Sequence, residues 1–203
     1  MIKSIAHGFG GLLRFAGRDT RAQFWPYAGL VFISTFLVFG AVLATVVGSS
    51  FAKIQAFALE NPDQVTVTQG PGTYSISVDS YQPQLMPDFG AFFATTGLMI
   101  VTMVVLLAAA VTRRLHDRGR SGWWAFPIVV FLSVGVGGMS LLMNAFEPLA
   151  ETTDATPDPA FIFGFIGLFA NNILYLGWLL FLVFLLATDR EAGPNRFGSR
   201  PAA

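Results

Sequence analysis

The chain has 203 residues, of which 54% are hydrophobic and 12% are charged, and its mean hydropathy is +0.61. Because soluble domains usually carry about a quarter charged residues, this composition indicates an integral membrane protein. The formal net charge is zero, so bulk charge gives no reason to expect a nucleic-acid partner. The absence of cysteine excludes disulfides, thiolate nucleophiles and cysteine-ligated zinc.

The segment before the first apolar run carries four basic residues, Lys3, Arg14, Arg18 and Arg21. Near its end, Thr20-x-x-Gln23 fits a capping box, in which both side chains bond free backbone N–H groups of a first helical turn. This spacing predicts a helix start after Thr20, with Pro26 separating that short helix from the following run or kinking it. A cleaved signal peptide is the alternative, but a leader of about 26 residues containing three arginines is long and polar for one.

Four apolar runs are long enough to cross a bilayer, which takes about 20 helical residues. None of them contains Asp, Glu, Lys, Arg or His. The predicted spans are 27–48, 89–111, 123–146 and 161–187. The predicted fold is therefore an all-α integral membrane protein, a four-transmembrane-helix bundle that forms one membrane domain over residues 1–203.

The first outer loop, 49–88, is the longest segment between spans. Its stretch VTVTQGPGTYSISV, 65–78, alternates apolar and polar residues around a Gly-Pro-Gly break, which predicts a small extracytoplasmic β-hairpin. The hairpin is interpreted either as a docking element or as a tolerated insertion. Before it, the helix of the first span, or a second amphipathic helix, is expected to continue to about Glu60. The second outer loop, EPLAETTDATPDP, is short, acidic and proline-rich and predicts a linker.

The basic residues predict the orientation. Eleven of twelve precede the first span, lie between the second and third, or follow the fourth. The positive-inside rule therefore predicts that both termini, the motif loop 112–122 and the tail 188–203 are cytoplasmic. Acidic residues concentrate in the other loops, so the formal charge is +7 inside and −7 outside.

Small and polar residues inside the third and fourth spans are expected at helix contacts, because helices in lipid associate through such residues. A polar solute path is the alternative, although no ionisable group lies within a span. The face predicted for the third span comprises Ser133, Gly137, Ser140 and Asn144, and the face predicted for the fourth comprises Gly164, Gly167, Asn171 and Trp178.

The motif loop is expected to begin as a continuation of the second span's helix. RRLHD would extend that helix by about a turn and place Arg113 and Asp117 at i and i+4. Gly119 is the expected C-cap, Ser121 the N-cap of the next helix, and the following pair of tryptophans interface anchors. A glycine-proline turn that carries Arg196 is expected after the fourth span.

Three inner segments together resemble a known family. They are FAGRDTRAQFW (15–25), RRLHDRGRSGWW (113–124) and NRFGSRP (195–201). In this order around four spans, they resemble the bacterial inner-membrane family catalogued as domain of unknown function 805. The resemblance implies an inner-membrane address and this architecture, and no reaction. The long first outer loop and the extended second one depart from the family pattern.

The inner segments are expected to converge on one basic cluster. Guanidinium groups bind phosphate oxygens in a bidentate manner, and anionic headgroups are abundant at this depth. Two interpretations remain open, a lipid-headgroup or other anion site and a clamp in which carboxylates pair with the arginines. The candidate anion-binding residues are Arg18, Arg21, Arg113, Arg114, His116, Arg118, Arg120 and Arg196, and the expected pairing carboxylates are Asp19, Asp117 and Asp189.

The sequence carries little sign of catalysis. His116 beside Asp117 is a weak signal, since His7 is the only other histidine and a closed metal site needs more ligands. We therefore expect no catalytic residue, cofactor or metal, and a non-enzymatic structural or interaction protein. Binding or transport of anionic headgroups or small solutes is the alternative. The expected partners are membrane lipids and an envelope protein that contacts loop 49–88, and no oligomeric state is predicted.

Overall fold

The structure is a computed structural model that describes residues 1–80, 82–150, 159–188 and 193–199, with the backbone alone at 146–150. Within these residues the chain is mainly helical. The elements are α1 (Ile2–Gly10), α2 (Arg21–Glu60), β1 (Val65–Gly70), β2 (Thr73–Val78), α3 (Phe89–Asp117), α4 (Phe126–Ala150) and α5 (Pro159–Ala187), with 3-10 helices at Pro62–Gln64, Pro83–Leu85 and Gly122–Ala125.

Four of these helices are long and apolar enough to cross a membrane, in the regions predicted as spans. The central helix is α3, which contacts α2, α4 and α5. Its last turn continues past the predicted span to Asp117, which confirms the expected extension. Asp88 begins α3 as an N-cap, accepting a bond from the Ala91 N–H at 2.8 Å.

The first long helix, α2, begins where the sequence predicts. Thr20 accepts a bond from the Gln23 N–H, and the Gln23 side chain accepts from the Thr20 N–H at 2.9 Å, so the capping box is confirmed. The expected separation at Pro26 is wrong, because Pro26 lies inside a continuous helix. A proline so near the helix start removes only one early backbone bond. The helix runs 40 residues to Glu60, confirming the expected continuation beyond the first span.

The β-hairpin is confirmed. β1 and β2 pair antiparallel, with Val65 opposite Val78 and Gly70 opposite Thr73. Gly72 in the turn has a φ of 77°, a left-handed conformation that glycine adopts readily. A cavity of about 530 Å³ lies between the end of β2 and the C-terminal part of α2.

The apolar segment that contains α4 lies where the sequence predicts it. It covers Gly122–Ala145 against the predicted 123–146, and its first four residues form a 3-10 turn, so α4 itself starts at Phe126. Ser121 is confirmed as the N-cap of this turn, accepting from the Trp123 N–H. The backbone of α4 continues to Ala150, so the predicted linker starts later than expected and its remainder, 151–158, lies outside the described residues.

The face predicted for α4 is wrong, and that for α5 is partly confirmed. Gly138 packs on α5, where an added Cβ would lie 2.6 Å from the Leu168 side chain, while Gly137 has nothing within 4 Å. Asn171 on α5 donates to the Phe131 carbonyl at 3.1 Å, as a helix-packing residue should. Asn144, from the predicted face, is exposed. Glycines occur on two sides of α4, so small-residue spacing alone selected the wrong side.

Helix α1 departs from the prediction, which places the first helix start after Thr20. It packs on the beginning of α2 through Gly8, whose missing side chain leaves room for the Tyr27 ring. Phe9 meets the same ring edge to face, with centroids 5.2 Å apart. The Tyr27 hydroxyl donates to the Leu106 carbonyl of α3 at 2.6 Å, so one aromatic side chain joins α1, α2 and α3.

This contact yields a test of α1 docking. A Cβ at Gly8 would lie 2.2 Å from Tyr27, so Gly8→Ala should lower the free energy of unfolding in detergent by about 1–3 kcal/mol. Gly10→Ala is the matched control, since nothing lies within 4 Å and alanine favours helix. Equal stability of the two variants would contradict this packing.

Candidate functional site

The end of α3 is shaped by a glycine turn. The Gly119 N–H bonds the His116 carbonyl and the Arg120 N–H bonds the Leu115 carbonyl, both at 3.0 Å, and Gly119 has a φ of 67°. These reversed bonds form a Schellman motif. The C-cap is Arg118, so the predicted cap position is wrong by one residue, and Gly119 supplies the left-handed turn just after it.

Asp117, in the last turn of α3, accepts hydrogen bonds from two arginines. Its Oδ1 accepts from Arg18 Nε at 3.1 Å and lies 3.0 Å from Arg18 Nη2. Its Oδ2 accepts from Arg114 Nη1 at 2.6 Å. The three side chains are at most 1% exposed. Arg113 and Asp117, which the sequence places at i and i+4, form no ion pair with each other, because Arg113 pairs with Asp19.

Asp19, just before α2, is the second buried carboxylate that accepts hydrogen bonds from basic side chains. Its Oδ2 accepts from Arg113 Nε at 2.8 Å, and its Oδ1 accepts from His7 Nε2 at 2.9 Å. Arg113 also donates through Nη1 to the Gly11 carbonyl at 2.6 Å and to the Arg14 carbonyl. A buried carboxylate therefore joins α1, the segment after it and α3.

Backbone carbonyls satisfy further guanidinium donors. Arg114 donates to the carbonyls of Leu186 at 2.9 Å and Thr188 at 2.6 Å, where the end of α5 leaves carbonyls without helical partners. Arg18 donates to the Gly193 carbonyl in the C-terminal turn at 2.8 Å. Positive charge at the negative end of α5 is also favoured by the helix dipole.

We call Arg18, Asp19, Arg113, Arg114 and Asp117 the arginine–aspartate cluster. Its three guanidinium groups and two carboxylates carry a formal charge of +1, which the surrounding carbonyls help to offset. These side chains connect the segment before α2, the end of α3 and the end of α5, and they are almost fully shielded from water. Among the described residues, no three His, Cys, Asp or Glu side chains meet as metal ligands would.

His116 attaches the C-terminal turn to the cluster. Its ring stacks on Phe197, with centroids 3.8 Å apart and planes within 5°. Its Nδ1 donates to the Gly17 carbonyl at 3.2 Å, and its own carbonyl accepts from Asn195 at 3.0 Å. These contacts use the imidazole for packing and hydrogen bonding.

The remaining candidate arginines lie around the cluster. Arg120 is exposed and lies over the Trp124 ring at 5.1 Å, and Arg196 is exposed and lies over Phe197 at 4.7 Å. Arg21 is also exposed and donates to the Ala187 carbonyl at 3.4 Å. Arg118 is half-buried. Asp189, predicted as a pairing carboxylate, lies outside the described residues.

Sequence reasoning missed two contributors, His7 and Gly11. A Cβ at Gly11 would lie 3.0 Å from Arg113 Nη2, so the guanidinium packs directly on this glycine. That Nη2 is buried, and no hydrogen-bond partner lies among the residues described. The apolar spacing of residues 2–13 was the signal for α1 and would have placed His7 on a helix.

Known proteins are similar to this chain, and the family match includes the arginine–aspartate cluster. A family described as protein of unknown function, DUF805, matches residues 12–199. Similar proteins include the uncharacterized protein YiiR of Escherichia coli strain K12 and that of Escherichia coli O157:H7, each 24% identical over 136 residues. The aligned region is 67% of this chain and 63% of each relative, so the chain covers less than two thirds of their length. No solved structure matches.

Loss of the shared carboxylate tests the cluster. Asp117→Asn removes the charge that faces Arg18 and Arg114, and breaking a buried pair costs about 3–5 kcal/mol. We expect a loss of that size in the free energy of unfolding in detergent. Asp63→Asn, at an exposed position, is the control and should change stability by less than about 0.5 kcal/mol. A loss no larger than the control's would contradict the assigned role of Asp117.

Proposed function

The chain belongs to the DUF805 family, and from that membership and the arginine–aspartate cluster we propose that it is a multi-pass inner-membrane protein with a structural or interaction role and no catalytic activity. The cluster is the observation that carries the proposal. Its charged side chains bond one another and backbone carbonyls, so they are engaged in holding the fold together. A substrate would have to displace these bonds.

Membrane insertion is supported by the outer surfaces of the four long helices. Apolar side chains such as Leu37, Leu98 and Leu180 are 69%, 67% and 71% exposed within the isolated chain. Exposing so many large apolar groups to water would be costly, whereas lipid accommodates them. In this proposal, the cluster lies at the cytoplasmic side and the hairpin lies outside.

The placement of both chain ends supports the same orientation. Arg18, before α2, bonds the Gly193 carbonyl after α5, so the N-terminal segment and the C-terminal turn meet at one end of the bundle. An even number of crossings requires this arrangement. The excess of basic residues in these segments favours the cytoplasmic side.

Cysteine labelling can test this topology, because the native chain has no cysteine. Ser77→Cys in β2 and Ser199→Cys in the tail both place a thiol at an exposed position. In intact spheroplasts, a membrane-impermeant maleimide should label the Ser77→Cys variant alone, and both variants after permeabilisation. Labelling of Ser199→Cys before permeabilisation would contradict the proposed orientation.

A second candidate function is contact with anionic headgroups. The exposed Arg120 and Arg196 favour this function, since each guanidinium lies over an aromatic ring. Within the described part of the chain, neither arginine forms an ion pair. A guanidinium over an aromatic ring can still donate hydrogen bonds to phosphate oxygens. In this second candidate function, the buried arginines stabilise the fold, while Arg120 and Arg196 contact lipid.

Partner binding is assigned to loop 49–88. The hairpin exposes Val67 and Tyr74, which are 50% and 56% exposed, and a lone two-stranded hairpin is marginally stable in water. Contact with an envelope protein would cover these side chains and stabilise the hairpin.

Co-purification in mild detergent tests both assignments, with lipids and proteins identified together by mass spectrometry. Wild type should retain phosphatidylglycerol or cardiolipin, and Arg120→Ala should retain less, while the outer-side variant Lys53→Ala should match wild type. Replacing residues 65–78 by a short Gly-Ser linker should remove the co-purifying envelope protein. Equal lipid retention by Arg120→Ala and Lys53→Ala would reject the headgroup assignment, and an unchanged protein set would reject the loop assignment.

A further inference from the structure

Helix α1 exposes an apolar stripe, and Phe9 at its border also touches the Tyr27 ring of α2. Ile2, Ala6 and Phe9 lie at offsets of 0, 4 and 7, which places them along one side of α1, and the apolar Leu13 follows in the turn after the helix ends. Ile2, Phe9 and Leu13 are 81%, 46% and 90% exposed, and Ala6 is also exposed. A helix on the surface of a soluble domain would direct polar residues outward at these positions.

The other side of α1 is used within the chain. Gly8 packs on Tyr27 and is buried, and His7 bonds Asp19 of the arginine–aspartate cluster. These two contacts fix which side of α1 remains available. They also hold α1 beside the first turns of α2, at the inner end of the apolar run 27–48.

The charges around the stripe are basic. Lys3 and Arg14 are exposed, and residues 1–18 contain no aspartate or glutamate. An amphipathic helix with this pattern is attracted to an anionic lipid surface, where its apolar side chains enter the boundary between headgroups and acyl chains. A protein partner would need a complementary acidic and apolar groove, whereas the inner leaflet already supplies both features.

We propose that α1 lies in the plane of the inner leaflet, with Ile2, Ala6, Phe9 and Leu13 facing the acyl chains and Lys3 and Arg14 at anionic headgroups. This inference rests on the proposed membrane insertion of the four long helices. It assigns a lipid-binding surface to a segment that crosses no membrane. Through His7 and Asp19, seating α1 on the lipid surface is linked to the arginine–aspartate cluster.

Site-directed spin labelling measures the depth of this stripe. The cysteine-free chain allows single variants of the full protein, and Leu13→Cys alters a side chain that packs little on the rest of the chain. In nanodiscs of phosphatidylethanolamine and phosphatidylglycerol, collisions of the label with oxygen and with a water-soluble nickel chelate report its depth. We expect the Leu13 label to lie about 5–10 Å below the headgroup level, with oxygen collisions dominating.

Two reference positions separate this inference from the proposal it rests on. Leu37→Cys, on the exposed side of α2, should be protected from the chelate, and Ser199→Cys should be accessible to it. A chelate-accessible label at Leu37 would reject membrane insertion itself. A protected label at Leu37 with a chelate-accessible label at Leu13 would reject the in-plane position of α1 alone.

The same samples test the two other components of the inference. Discs without anionic lipid, or the Lys3→Gln and Arg14→Gln double variant, should raise chelate access at Leu13 several-fold; unchanged access would reject the role of charge. Dipolar broadening between two Leu13 labels would show that the stripe packs against a second copy of the chain, which would overturn the assignment to lipid.

Discussion

A guanidinium or carboxylate group removed from water costs several kcal/mol unless a partner of opposite charge and further hydrogen bonds replace the lost hydration. Three arginines and two aspartates at one end of this helical bundle are almost fully buried, so each must find its partners or the packing fails. Asp117 joins Arg18 to Arg114, and Asp19 receives Arg113. This requirement fixes how the segment before α2, the end of α3 and the end of α5 meet.

The surrounding backbone is arranged to meet the same requirement. The carbonyls left open at the end of α5 accept from Arg114, and glycine at position 11 lets the Arg113 guanidinium approach the chain closely. The Gly119 turn ends α3 directly after Asp117 and keeps that carboxylate in the last helical turn. Most of the cluster's donors are bonded to carboxylates and carbonyls, Arg113 Nη2 being the exception, and this favours the structural role that we propose over a catalytic one.

Much of this architecture was predictable because its signals are local. The capping box at Thr20, the hairpin alternation and the extension of α3 each depend on a few neighbouring residues, and each is confirmed. Spacing also indicated an i,i+4 relation between Arg113 and Asp117, but the bond forms to Asp19, 94 residues away in the sequence. Tertiary packing decided that choice, and no local pattern records it. The packing side of α4 depends on contacts with α5 that no local pattern records, whereas α1 has a local signal in the apolar spacing of residues 2–13.

The central claim is that the arginine–aspartate cluster holds the helix ends together, and a double-mutant cycle on Arg113 and Asp19 tests it most directly. The free energy of unfolding in detergent would be measured for wild type, Arg113→Met, Asp19→Leu and the double variant. Each single change leaves a buried charge without its partner, so we expect the double variant to lose less stability than the two single losses combined, with a coupling energy of about 0.5–3 kcal/mol. Strictly additive losses would show that the two side chains do not act on each other, and would contradict the account.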